Sequence, residues 1–477
     1  MRPTTVAVIG AGWAGCAAAV ELTRAGAKAT LYEAARTAGG RARRIDYQGH
    51  ALDNGQHILL GAYRESLRLM QQVGLQPSQL LMRLPLQMRY PDNEVGMDLL
   101  APRLPAPLHL VMGVLRAKGL SLADKLSLAR FSSAARWMGW QLNQDCTVAE
   151  LLARFDQTDR LIKLMWRPLC IAALNTPPER ASAKVFLAVL RDSLGARRAA
   201  SDMLLPRTDL STLFPDAAIS WLQKQGGKVM MGHRVNSIHA DDAGWTINSA
   251  QRSDHYQHVV IATAPMHAQT LLKDTDHALS ESLSFDYEAI TTCYLQYAPT
   301  VRLPAPMLAL IDDPDSQCWG QFVFDRGQLD SAQAGLLAVV ISASGPAKGN
   351  AERTKEVAGL SPELAGLSQE LVGLASAEIK QTQQTTVQSL EVAVAQQLAH
   401  DLHMPELGTP VWSKAITEKR ATFACVPDMQ RPSTATTHPG LWLAGDYTAS
   451  DYPATIEGAV RSGVKVAADI LGSAVSA

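Results

Sequence analysis

The chain has no excess of basic residues. Its 44 lysines and arginines are balanced by 45 aspartates and glutamates, which argues against the electrostatic footprint by which proteins hold a nucleic-acid backbone. It also lacks paired cysteines. Cys16, Cys146, Cys170, Cys293, Cys318 and Cys425 lie far apart with no CxxC spacing. Neither a disulfide framework nor a zinc site is indicated, and a reducing cytoplasm suits such a chain. Nowhere do 18 apolar residues stand in succession, so no membrane-crossing helix is expected. Arg2 and the apolar run Val6–Ile9 share two features with an export signal. The run stops at Gly10, however, and Glu21 and Arg24 interrupt the next stretch, as they would on a surface helix. At 477 residues the chain exceeds one compact core, so two or three lobes around a cleft are expected.

What is present begins with a β-turn-α-β unit. Residues 4–9 (TTVAVI) read as a buried strand, Gly15 to Gly26 carry apolar residues at helical spacing, and Ala29 to Tyr32 read as a second strand. From about 101 to 200 the pattern is mostly helical. Strand patterns return at KVMMGHRV, WTINSA and HVVIATAP between 228 and 265, and the chain closes on LWLAG and a helix from Thr455 to Leu471. Residues 358–374 repeat AGLSPEL, AGLSQEL, VGL, a leucine seam of about two and a half heptads. Pro362 and the repeated glycines weaken it as a helix, and it reads either as an exposed insertion or as a partner helix.

Gly10-Ala11-Gly12-Trp13-Ala14-Gly15 is a GxGxxG placed between a strand and a helix. In that setting Gly10 permits the tight turn, Gly12 lets the backbone approach a pyrophosphate, and Gly15 permits helix–strand packing, with Ala14 in the same turn. The helix N-terminus then faces phosphate. Glu33 ends the second strand, where a carboxylate accepts hydrogen bonds from ribose hydroxyls. Gly39, Gly40 and Arg41 come next, two glycines for a close turn and a forked cationic donor suited to pyrophosphate.

With GGR added, the pattern resembles the FAD-dependent amine oxidase and phytoene desaturase superfamily. A second motif strengthens the likeness: Leu441-Trp442-Leu443-Ala444-Gly445-Asp446, then Pro453-Ala454-Thr455-Ile456-Glu457-Gly458-Ala459. The resemblance implies FAD as cofactor, Gly445 and Asp446 beside the ribityl chain, and Thr455 and Ile456 at a helix N-terminus under the flavin, where it favours an anionic reduced ring. Val235 falls where the superfamily contacts adenine; it also reads as an ordinary core valine. The implied fold class is α/β, a Rossmann-like FAD-binding domain with an inserted helical lobe and a mixed-sheet substrate domain. Residues 1–85, 206–268 and 411–477 would build the FAD domain. Residues 86–205 would form the helical substrate or membrane lobe and 269–410 the substrate domain, with the repeat as an insertion near 347–386.

Further segments narrow the resemblance. Asp53-Asn54-Gly55-Gln56-His57, Trp166 to Cys170, Ala172 to Pro177, Arg191 to Leu194, Pro206-Arg207 and Glu418 to Phe423 together are similar to the hydroxysqualene dehydroxylases, over nearly the whole chain outside the repeat. That likeness implies hydroxysqualene, a long-chain isoprenoid alcohol, as substrate, squalene as product, and an electron donor that re-reduces the flavin. An allylic C–O bond breaks readily once its oxygen is protonated, so the protein must supply an acid, a dry cavity and a nearby hydride. His57, Glu418 and Arg420 are the candidate catalytic residues, each also readable as hydrogen-bonded support. A carotenoid-type desaturase on the same fold is the rival reading. An amine oxidase, with only Tyr447 and Tyr452 towards an aromatic cage, and a flavin-free prenyl-lipid carrier are the others. Between Arg103 and Arg136 six basic residues and one acid stand among Leu, Val, Met, Phe and Trp. The segment reads either as a peripheral contact with the inner face of the cell membrane or as a helical lobe with solvated charges.

Overall fold

The computed structural model describes residues 3–92, 94–250, 252–344 and 390–475. The heptad-like repeat at 358–374 and the insertion expected near 347–386 lie outside the described residues.

Five parallel strands form the central sheet, in the order Lys228–Met231, Lys28–Glu33, Thr5–Ile9, His258–Ile261, Leu441–Leu443. Their near-continuous apolar runs, Val6 to Ile9 and Val259 to Ile261, are those of strands covered on both faces. The helix Trp13–Arg24 covers one face and is itself covered by Ile456–Val475. That helix pair is close because of Gly463: a Cβ there would lie 2.2 Å from the Ala14 carbonyl oxygen. KVMMGHRV, which reads as one strand, is two. Lys228–Met231 ends at Gly232 (φ 73°), and Val235–Asp241 starts a separate antiparallel meander with Gly244–Ser249 and Ser253–Tyr256. The break arises because Gly232 and His233 donate their amides to Ala35 and Glu33 carbonyls instead of continuing the strand.

A second five-stranded sheet runs Met307–Ala309, Phe322–Asp325, Leu336–Ser342, Tyr287–Gln296, Trp412–Phe423. It is antiparallel throughout, not mixed, in part because short connections join several of its neighbouring strands. Trp412–Phe423 pairs along most of its length with Tyr287–Gln296, so the boundary expected at 410 falls after Phe423. Helices Leu108–Arg116, Leu122–Trp137, Val148–Arg154, Arg167–Leu174 and Ala183–Ser193 make up the helical lobe. A strand pair, Gln87–Arg89 with Asp98–Leu100, precedes them inside the stretch expected to be helical. Ser121 and Asp124 form a reciprocal cap that fixes where Leu122–Trp137 starts.

Candidate active site

One cavity of about 1230 Å³ runs from the glycine-rich turn to the antiparallel sheet. At its first end the chain leaves Thr5–Ile9 through Gly10, whose φ of 108° suits glycine and whose Cβ would meet the Ala262 carbonyl oxygen at 2.7 Å. Gly12 precedes a helix with no side-chain cap, so its first amides open onto the cavity. Gly15 does not line the cavity. A Cβ on it would sit 1.9 Å from the Gly10 carbonyl oxygen, so its part is to let helix and turn touch. Glu33 accepts hydrogen bonds from the Ala11 amide (2.7 Å) and the Ala35 amide (2.8 Å), and thereby holds the turn's shape. Val235, buried, lines the same end.

Arg41 does not stand free over the turn. Its guanidinium donates to Asp446 Oδ1 (2.5 Å) and to the Ala421 carbonyl (2.7 Å). One side chain therefore ties the GGR turn to the C-terminal motif and to the antiparallel sheet. Gly445 donates its amide to Ser462 Oγ, and Thr455 Oγ1 accepts from the Gly458 amide, capping the helix that begins at Ile456. Gly40, Arg41, Gly445, Asp446, Thr455 and Ile456 all line the cavity.

The other end is mostly apolar: Ile171, Ile290, Phe322, Phe324 and Val340 form its walls. Into it come His57 and Glu418, with Arg420 and Tyr287 beside them. His57 Nδ1 lies 2.8 Å from the Gly55 carbonyl, which can only accept, so that nitrogen carries the ring proton. Burial, with Arg41 nearby, lowers the His57 pKa and keeps the ring neutral. Glu418 Oε2 accepts from Asn54 Nδ2 (3.0 Å) and Oε1 from the Arg420 amide (3.2 Å). Arg420 is exposed, with its guanidinium 5.9 Å from the Tyr287 ring centre. Burial raises the Tyr287 pKa and so retains its phenolic proton.

Three stretches distant in sequence are joined here. Asn54 bonds Glu418, and Asn175 Nδ2 donates to Thr422 Oγ1 (2.9 Å) while its Oδ1 accepts from the Ala343 amide (2.7 Å). Asn175 does this from a left-handed backbone (φ 47°) that Asn tolerates. Among the cavity residues that escaped the sequence reading as single residues are Asn54, Asn175, Thr263 and Tyr287. Thr263 had a signal, since it lies just beyond a parallel strand at its carboxyl end, where crevices form. The apolar wall had none, because inward Phe and Val look alike in every sheet.

Asp53 sits just behind this end, 4% exposed, accepting from the Leu210 amide. Burial pushes its carboxyl up to about 7. A buried acid raised this far above its unfolded value near 3.9 costs stability as pH rises from about 4 to 7, with the cost complete above that window. Asp53→Asn is expected to raise Tm by several degrees at pH 8.5 and to leave it nearly unchanged at pH 4, measured by thermal melts across pH. A gain independent of pH would refute this account.

The residues fit a dinucleotide with a flavin. Gly12 and Gly40 leave a cradle that side chains would fill, two helix N-termini face the cavity, and the buried Thr263 Oγ1 that lines it has no hydrogen-bond partner among the described residues. Such a fold and site define a flavoprotein oxidoreductase. The family of flavin containing amine oxidoreductases matches residues 13–471, and the chain belongs to it; it is an enzyme with FAD as cofactor. It is similar to the hydroxysqualene dehydroxylase of Rhodopseudomonas palustris, 29% identical over 98% of this chain and 99% of that one. It is also similar to the zeta-carotene desaturase of Synechocystis, 24% identical over 98% and 97%. Cyclohexylamine oxidase of Brevibacterium oxydans has the same fold, with a TM-score of 0.64 at 18% identity, covering 99% of both chains.

Proposed function

We propose that this enzyme reductively removes the hydroxyl of hydroxysqualene to give squalene. The observation that carries the reading is the junction of residues 53–57, 172–177 and 418–423 at the apolar end of the cavity, through the Asn54–Glu418 and Asn175–Thr422 contacts. These are segments on which the resemblance to hydroxysqualene dehydroxylases rests, and the full-length similarity to one supports it.

In the net reaction the allylic C–O bond breaks, the oxygen takes a proton and leaves as water, and the carbon gains a hydride. Bound FAD, once reduced by an electron donor, supplies that hydride. Ile171, Ile290, Phe322, Phe324 and Val340 bind the polyisoprenoid and keep water from the reacting carbon. His57, neutral and protonated on the nitrogen turned to Gly55, offers a lone pair at Nε2 and orients the substrate hydroxyl. Glu418, whose oxygens accept from the Asn54 side chain and the Arg420 amide, lies where it stabilises the allylic cation as it develops. The acid role expected of these two passes to Tyr287, which keeps its proton and lines the same end. Arg420 serves at the rim, against the Tyr287 ring. Gly10, Gly12, Ala14, Glu33, Gly40, Arg41, Val235, Gly445, Asp446, Thr455 and Ile456 hold FAD, with Gly15 packing behind them. Because such a substrate resides in lipid, the reading puts the enzyme in the cytoplasm, in peripheral contact with the inner face of the cell membrane through residues 103–136.

Anaerobic incubation of the reduced, FAD-loaded enzyme with hydroxysqualene should yield squalene; a carotenoid precursor given to the oxidised enzyme should come back unchanged. Desaturation of the precursor without formation of squalene would select the desaturase reading. In flavin-replete variants Glu418→Gln and Tyr287→Phe are each expected to lower kcat by roughly 100-fold and His57→Ala by about 10-fold. Wild-type rates in any one would remove that residue from its role.

A further inference from the structure

The helical lobe carries an apolar surface turned the wrong way for a protein bounded only by water. Leu108, Val111 and Leu115 are 54%, 50% and 59% exposed along one stripe of Leu108–Arg116. Leu122, Leu126 and Trp137, at 73%, 57% and 90%, continue it on Leu122–Trp137. The buried sides of the same helices hold His109, Asp124 and Ser127 among their residues. On Leu108–Arg116, whose buried residues are His109 and Gly113, leucines outside invert the pattern of a helix on a soluble surface, while Leu122–Trp137 buries Leu128, Phe131 and Ala135 and carries its outward apolar residues as a second apolar face. Most inward polar atoms are satisfied locally: Asp124 by Ser121 and Thr158, Ser127 by the Asp156 carbonyl and Gln157, and His109 Nε2 by Ser201, while the buried His109 Nδ1 has no partner among the described residues.

Charge identifies what covers it. Arg103, Arg116, Lys118 and Arg136 are exposed around the stripe, and none of them has a carboxylate partner among the described residues. Arg130 has only a long contact of 3.9 Å to Asp156, and Lys125 donates to the Leu115 carbonyl. A second copy seated face to face would bring these cations against their own kind. A layer of anionic lipid headgroups over acyl chains matches both features, apolar side chains going into the acyl boundary and cations staying at the phosphates. We infer that Leu108, Val111, Leu115, Leu122, Leu126 and Trp137 insert into an anionic lipid surface and that Arg103, Arg116, Lys118 and Arg136 select it by charge. The inference deepens the proposed membrane contact and rests on the isoprenoid reading for its purpose, but not for its geometry.

The test uses the full-length, FAD-loaded enzyme in flotation with vesicles of phosphatidylcholine alone and of phosphatidylcholine with about 30% phosphatidylglycerol. Recovery is expected only with the anionic vesicles. Each basic residue near such a surface is worth about fivefold in partitioning, so R116Q/K118Q/R136Q should weaken binding by on the order of 100-fold. L108S/V111S/L122S should lose binding at high salt, where charge no longer holds the wild type near the surface. Flavin content and turnover of detergent-dispersed hydroxysqualene should stay at wild-type levels in both variants. Failure of the wild type to float, equal recovery of wild type and variants, or a dimer in solution abolished by the leucine changes would overturn the inference. Loss of squalene formation with detergent-dispersed substrate, in protein that still floats, would instead defeat the reaction assigned above.

Discussion

Gly15→Ala is expected to give protein that purifies without yellow colour. The new methyl carbon would start 1.9 Å from the Gly10 carbonyl oxygen and 3.2 Å from Ala262 Cβ, so helix and turn have to separate. Overpacking of this kind costs about 1–3 kcal/mol even where neighbours yield, and here the atom struck is backbone. The turn shaped by Gly10 and held by Glu33 through the Ala11 amide then loses its form. FAD affinity should fall by at least roughly 100-fold, which about 3 kcal/mol of misfit represents. Absorbance near the flavin band per mole of folded protein, with circular dichroism to count folded molecules, measures it. A variant that is folded and fully yellow would show that the helix has room to move, against the contact distance.

Asp446→Ala is the second large effect. Its carboxylate, 7% exposed, is the acidic partner of Arg41, whose side chain is 32% exposed. Removing one member of a mostly buried pair leaves the other charge without compensation, at a cost of about 3–5 kcal/mol when burial is complete and less here because Arg41 is partly in water. Arg41 still has the Ala421 carbonyl, so the sheet contact survives while the link to the C-terminal motif is lost. The expected outcome is a Tm lowered by several degrees together with flavin that washes out on gel filtration. Asp446→Asn keeps an acceptor for Arg41 and should recover most of the thermal stability but less of the flavin retention. Equal behaviour of the two variants would mean that the charge of Asp446 does nothing beyond its hydrogen bond.

These two positions also mark what was legible in the chain. Gly15 is readable because its requirement is local: a turn five residues back needs the space, and no other residue type supplies it. Asp446 is readable as a motif member, but its bond to Arg41 spans 405 positions, and no periodicity encodes such a pairing. The same division runs through the fold. The strand, turn, helix and strand at 4–33 announce themselves by hydrophobic period and glycine placement. The order of the central sheet does not, because Lys228–Met231 and Leu441–Leu443 reach their neighbours across insertions of about 200 residues. Chemistry was least legible where it depends on hydrogen-bond partners. His57 looks like an acid in the sequence; the Gly55 carbonyl and the burial around it remove its spare proton. Asn54 and Asn175 look like loop residues, and only the folded chain shows them fastening the cavity wall. The segment from Arg103 to Arg136 reads in the sequence either as a membrane contact or as a helical lobe with solvated charges, and the side its leucines face is a tertiary fact.

The central sheet also sets a timetable. Its fifth strand, Leu441–Leu443, pairs with His258–Ile261, and two residues beyond it, Asp446 and Thr455, close the cavity opposite the glycine-rich turn. A ribosome delivers them only after the first four strands have been made. Until then His258–Ile261 is an open edge of unpaired backbone groups, the kind that recruits foreign strands. The nascent chain must keep that edge covered through the synthesis of some 180 further residues, and the cavity is complete only in the finished polypeptide.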